Sequence, residues 1–227
     1  MPSDPALDQP LARPDLLTWL ADEIPHPTSD DCVRVGIDGV DGSGKTTFAN
    51  ELAAALRTAA RPVVRVSVDD FHNVRAIRYR RGRTSPEGFW QDAFNYDRLH
   101  TDVLDPLGPG GSRHYRPAAH DLSTDQILDL PYQVAPPGAV LVVDGLFLHR
   151  NELKNAWDLS IFLDVPFNIT IQRMSHRDGT NPDPNHPTVR RYVDAQHLYF
   201  KTCNPHQKAD ILIDNTSLNT PRPLRIH

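Results

Sequence analysis

Gly39-Val40-Asp41-Gly42-Ser43-Gly44-Lys45-Thr46 fits the pattern G-x-x-x-x-G-K-[ST] without a mismatch. Glycines at this spacing let successive backbone N–H groups turn inward around phosphate oxygens. A lysine in the penultimate position reaches the β- and γ-phosphates, and the hydroxyl after it can ligate Mg²⁺. The residues expected to grip ATP are therefore Gly39, Asp41, Gly42, Ser43, Gly44, Lys45, Thr46 and Thr47. The bland alternative is a glycine-rich turn between a strand and a helix. Against it stands the context: a β-branched run, Val33 to Asp38, precedes the motif, and a helical pattern opens at its end.

Two further groups of acids could complete such a site. Val140-Leu141-Val142-Val143-Asp144 is an apolar run ending in a carboxylate, the form of a Walker B element, so Thr46 and Asp144 are the expected Mg²⁺ ligands. Val68-Asp69-Asp70-Phe71-His72 puts two acids at the end of another short run. Transfer to an alcohol needs a carboxylate to orient and deprotonate the hydroxyl, and one of this pair can supply it while the other caps a turn. No N-K-x-D tetrapeptide occurs, so nothing marks guanine recognition. A non-catalytic nucleotide sensor is the rival class.

These residues need a scaffold that brings them to one edge. Phe48, Leu52 and Leu56 recur at helical spacing over 46–57, as do Leu16, Leu20 and Ile24 before them. Short apolar runs at 33–38, 63–68, 140–144, 159–165 and 209–214 read as strands. Helical patterns are expected at 93–104, 151–157, 168–175 and 188–199, and residues 69–91 read as a loop. Strands alternating with helices predict an α/β fold, a five-stranded parallel sheet with helices on both faces. Ligands then sit at the carboxyl ends of the strands, where every candidate above falls. The chain of 227 residues suits a single domain, with an N-terminal extension and helix over 1–30, an insert over 69–137 and a lid over 177–187.

Composition narrows the classes. A net charge of -5 argues against a nucleic-acid partner, although Arg75, Arg78, Arg80, Arg81 and Arg83 cluster locally. Cys32 and Cys203 are far apart and form no CxxC pair, which suits a reduced, cytoplasmic compartment. The polar, proline-rich start shows no signal-peptide pattern, and no apolar run approaches a membrane span. Eleven histidines occur without HExxH or Cys/His ligand spacing. Assembly into a homo-oligomer is left open.

The stretches Gly39–Thr47, Asp69–His72, Ser85–Phe89 with Asp92-Ala93-Phe94, Val140–Leu148, Arg173, Arg177-Asp178 and Lys208–Asn215 follow one another in a familiar order. In them the chain resembles the uridine kinase-like P-loop kinases, relatives of phosphoribulokinase and type I pantothenate kinase. The resemblance implies a P-loop NTPase fold with a lid and an acceptor-binding insert. It also implies ATP- and Mg²⁺-dependent transfer to the 5′-hydroxyl of a nucleoside, uridine or cytidine first, in a soluble protein of pyrimidine salvage. Residue by residue, Asp69 matches the general base and Asp92 the acid on the ribose hydroxyls. Tyr115 and His120 match a base-recognition pair, with His72 lining the acceptor site. Arg173 and Arg177 match lid arginines that neutralise the transferring phosphoryl group. Three departures bear on the acceptor: His72 stands where such kinases commonly carry Tyr, Asp144 where they often carry Glu, and residues 179–187 lack a further arginine, which Arg190 or Arg191 could replace. Pantothenate, a sugar acid or a specialised metabolite is the alternative acceptor.

Overall fold

The computed structural model describes residues 8–27 and 30–226; the first residues of the expected extension lie outside them. Among the described residues, β1 (Val33–Gly39), β2 (Val63–Ser67), β3 (Val140–Asp144), β4 (Leu159–Asp164) and β5 (Ile211–Asp214) form the expected parallel sheet. A sixth strand, β6 (Arg222–Ile226), joins antiparallel to β5, giving the order β6-β5-β4-β1-β3-β2. This corrects the all-parallel expectation. Its pattern is weak because Pro223 removes a ladder donor, which only an edge strand tolerates.

The inner strand β3 is buried on both faces, so it reads as a continuous apolar run. Along β3, Val140 and Val142 point into one core layer, Leu141 and Val143 into the other. The first layer is closed by α1 (Arg13–Glu23) and α2 (Lys45–Thr58), through Leu16, Leu20, Phe48, Leu52 and Leu56, all fully buried. The second is closed by the insert, through Phe71 and Leu99, by α7 (Pro187–Cys203), through Tyr199, and by Phe147 just beyond β3. Ahead of α7, α6 (Phe167–Asp178) ends on Gly179 in the left-handed region at φ 71, and residues 180–186 lead on to Pro187.

The insert holds more regular structure than its composition suggests. The expected loop over 69–91 contains α3 (Arg75–Arg78) and α4 (Pro86–Asp92). The signal for α4 was present in Ser85-Pro86-Glu87: Ser85 Oγ accepts from Gly88 N at 3.0 Å, and proline occupies the first turn. The helix expected from residue 93 starts instead at α5 (Tyr96–Leu99), where the Asn95 side chain caps Arg98 N at 3.0 Å, and continues as a π turn over His100–Leu104. Two short antiparallel pairs follow, His114–Tyr115 with Gln133–Val134 and His120–Asp121 with Gln126–Ile127. The helix expected over 151–157 is one 3₁₀ turn, Asn151–Leu153. No helix among the described residues is long and apolar enough to cross a membrane.

Candidate active site

The glycine-rich loop leaves β1 and enters α2 at the carboxyl edge of the sheet. Gly42 shows why its residue type is needed: φ is 75, and a Cβ there would stand 2.5 Å from the Thr170 carbonyl of α6. Lys45 Nζ donates to the Val40 carbonyl at 2.9 Å, closing the loop on itself. Ser43 Oγ is buried without a hydrogen-bond partner, so the cradle keeps an unmet polar group. Asn215 Nδ2 donates to the Ser43 carbonyl at 2.7 Å and anchors the loop from beyond β5.

At the start of α2, Thr46 Oγ1 donates to Asp144 Oδ2 at 2.7 Å. The other oxygen of Asp144 accepts from Arg65 Nη2 at 2.7 Å, which compensates a carboxylate that is almost fully buried. A hydroxyl and a carboxylate in contact form a hard-oxygen pair suited to Mg²⁺, which takes few protein ligands and completes its shell with water and phosphate. Among the described residues no group of three or more His, Cys, Asp and Glu is placed to hold a metal ion.

A cleft of about 420 Å³ opens beside the loop. Asp41 and Asp69 line it, with His72, Arg78, Tyr79, Phe89, Phe94, Arg177, Arg191 and Tyr192 around them. Asp69 follows β2 in a 3₁₀ turn whose start is capped by Ser67 Oγ, at 3.3 Å from Asp69 N. His72 Nδ1 donates to the Asp69 carbonyl at 2.7 Å, and its ring lies 4.5 Å from that of Phe94. Burial lowers the pKa of this imidazole and favours its neutral form. Asp70 is outside the cleft lining; its pKa is raised by burial, with the charges of Asp69 and Asp144 adding to the effect. Burial likewise raises the pKa of Asp41, against the opposing charge of Lys45.

The structure thus gathers Asp41, Lys45, Thr46, Asp69, His72, Asp144, Arg173 and Arg177 around one edge, and places three other expected residues elsewhere. Asp92 is buried, but it is salt-bridged to Arg80 and Arg81 and faces a separate depression with Trp90 and Arg150. Tyr115 Oη donates to Gln133 Oε1 at 2.9 Å, within the short pair far along the insert. His120 is buried behind the cleft, with Nε2 3.2 Å from Asp125 Oδ1. Arg173, by contrast, lies against the glycine-rich loop: Nη1 donates to the carbonyls of Gly42 and Ser43, each at 3.4 Å, and Nη2 to those of Asn215 at 3.0 Å and Thr216 at 2.7 Å. Arg177 does line the cleft, largely exposed and paired with Asp178 at 2.8 Å.

Sequence reading missed a buried hub beneath the loop. Asp38, fully inaccessible at the end of β1, accepts from Gly39 N at 2.7 Å, Leu148 N at 3.1 Å and His149 Nδ1 at 2.8 Å. The Tyr199 hydroxyl of α7 also donates to it. The same helix sends Gln196 Nε2 to Asp41 Oδ2 at 3.4 Å. An acid directly ahead of the glycine-rich motif was the available signal, but a strand residue gave no hint of its distant partners.

Comparisons with known proteins agree with this architecture. The family model described as "Phosphoribulokinase / Uridine kinase family" matches residues 34–219. A uridine kinase of Leuconostoc citreum (strain KM20) is 26% identical over 179 residues, 75% of this chain and 77% of the relative. A thymidylate kinase of Xylella fastidiosa (strain 9a5c) is 34% identical over 160 residues, 67% of this chain and 69% of the relative. The solved structure of "a Possible Uridine Kinase" from Bacillus stearothermophilus superposes with a TM-score of 0.68 at 24% identity, covering 88% of this chain and 96% of that one. At that identity the likeness carries the fold.

Proposed function

The chain belongs to the phosphoribulokinase/uridine kinase family, a family of P-loop kinases, and from that premise we propose that it transfers the γ-phosphoryl group of ATP to a hydroxyl of a small molecule bound in the cleft at Asp69. The leading acceptor is the 5′-hydroxyl of a pyrimidine nucleoside, uridine or cytidine. The observation that supports this reading is the arrangement of one cleft with a glycine-rich cradle at one end and a carboxylate on its wall.

Each residue has a stated part. The loop amides and Lys45 hold the nucleotide's phosphates, while Thr46 and Asp144 would hold Mg²⁺, which would neutralise phosphate charge when bound. Asp69 orients the acceptor hydroxyl and takes its proton as the oxygen attacks phosphorus, and ADP leaves. Arg177, on the lid side, offers a cation to the phosphoryl oxygens. His72 holds the Asp69 backbone in place from the cleft wall.

ADP release measured over a panel of nucleosides and hydroxy acids tests the proposal, with Lys45→Ala and Asp69→Asn alongside. Lys45→Ala is expected to lose on the order of 10²–10³-fold in turnover with its melting temperature retained. Asp69→Asn is expected to lose ~10²–10⁴-fold while ATP affinity holds. Wild-type turnover in Asp69→Asn, or a defect confined to Asp70→Asn, removes Asp69 from the role of base. Absence of ADP release with every acceptor overturns the kinase reading.

A further inference from the structure

Arg191 of α7 lines the cleft, yet among the described residues it has no carboxylate partner. Its guanidinium is held by aromatic rings, with Cζ 5.3 Å from the centroid of Tyr79, 5.3 Å from Phe89 and 4.7 Å from Tyr192. Nη1 donates to the Arg83 carbonyl. Nε is buried with no partner, and Nη2 donates to no described residue. Tyr79, Arg83 and Phe89 belong to the insert, so Arg191 is fixed to the acceptor side of the cleft and away from the glycine-rich loop.

We propose that Arg191 is the specificity-determining residue of the acceptor site, and that its free Nε–Nη2 edge takes two coplanar hydrogen-bond acceptors set side by side on the substrate. This rests on the reading of the cleft as the acceptor site. The Nε–H and Nη2–H bonds of a guanidinium run parallel and form a fork that matches paired acceptors. Left empty, its Nε is a buried donor without a partner, which costs free energy that a matching ligand returns. Around it the rings of Tyr79, Phe89 and Tyr192 form walls suited to a flat group.

Two kinds of small molecule carry such an edge. On a pyrimidine nucleoside it is O2 and N3 of cytosine; uracil presents an N3–H donor there, which a guanidinium repels. On a hydroxy acid it is the carboxylate. The site should therefore accept cytidine well ahead of uridine, or a hydroxy acid ahead of both, and it should lose that preference when the fork is removed.

The test is kcat/KM for cytidine, uridine and D-glycerate, with ATP saturating, in the wild type, Arg191→Lys and Arg191→Gln. A bidentate pair discriminates by roughly tenfold or more, so the wild type should favour cytidine over uridine by about that factor. Arg191→Lys keeps the charge but lacks the fork; it should bring the ratio to within about twofold, with KM for ATP unchanged. A purely structural Arg191, latching α7 to the insert, would lower all acceptors together and leave the ratio intact, which overturns the proposal. A preference for D-glycerate that both variants abolish upholds the fork, assigns it to a carboxylate, and overturns the nucleoside reading alone. Uridine equal to or better than cytidine in the wild type, with D-glycerate inert, or no turnover of any of the three, overturns the proposal.

Discussion

Thr46 and Asp144 meet through a 2.7 Å hydrogen bond that joins the first turn of α2 to the end of β3. Together they would hold Mg²⁺ through the hydroxyl oxygen and the charge of the carboxylate. Replacing the acid with Asn keeps the size and removes the charge, so Asp144→Asn should raise the Mg²⁺ concentration needed for half-maximal turnover, on the order of tenfold or more. Titrating Mg²⁺ at fixed ATP checks it. An unchanged requirement would remove Asp144 from the metal's coordination.

Asp92 offers a sharp contrast with its expected role on ribose hydroxyls. Burial disfavours its charged form, but hydrogen bonds from Arg80 and Arg81 outweigh that and hold its pKa below the ordinary value. Asp92→Ala should therefore lower the melting temperature and leave the preference for ribo- over deoxyribonucleosides untouched. Competition kinetics of uridine against deoxyuridine decides it; a collapse of that preference would return Asp92 to the acceptor.

Asp41 should reveal itself through pH. Burial places its folded pKa above the unfolded value of about 3.9, so ionisation opposes folding. A raised carboxyl contributes its stability below the unfolded pKa and loses it as pH rises through the folded one. Asp41→Asn should consequently melt higher than the wild type at neutral pH, each 1 kcal/mol showing as roughly 2–4 °C. The advantage should vanish below about pH 4. An advantage independent of pH would contradict it.

Tyr199→Phe removes one hydroxyl from the hub and nothing else. It takes a donor from Asp38 and leaves His149 N, which donates to that hydroxyl at 3.0 Å, without an acceptor. A loss of about 1–3 kcal/mol is expected, read from chemical denaturation. Wild-type stability would show that the contact contributes nothing net.

What the sequence disclosed follows from the range over which each signal acts. The glycine-rich loop is contiguous, so its spacing alone predicted the strand before it and the helix after it. Five sheet strands were legible because their β-branched and apolar residues are concentrated in short runs, most clearly in the fully buried residues 140–143. Arg222–Ile226 was not, because its place depends on a neighbour eight or more residues earlier and its own pattern is interrupted by Pro223. In the site, Asp69 and Asp144 sit at strand ends where topology delivers them. Asp92 and Tyr115 lie in the insert, where direction is set by short turns and by Arg80, Arg81 and Gln133. Asp38 was hidden for a related reason: its distant partners, Leu148, His149 and Tyr199, come from segments that no local pattern connects.

Val189, Tyr192, Gln196 and Tyr199 occupy one stripe of α7, at steps of three, four and three residues. The first two line the cleft, the third reaches Asp41 in the nucleotide loop, and the fourth reaches Asp38 beneath it. One rigid rod therefore keeps two binding places in phase, as the notches of a ruler keep their distances. A substitution blunts a single notch. One inserted residue between Tyr192 and Gln196 would turn everything beyond it by about 100° and slide it by 1.5 Å, so that the rod could serve the cleft or the hub but no longer both. The information in this helix lies in its count of residues as much as in their identity.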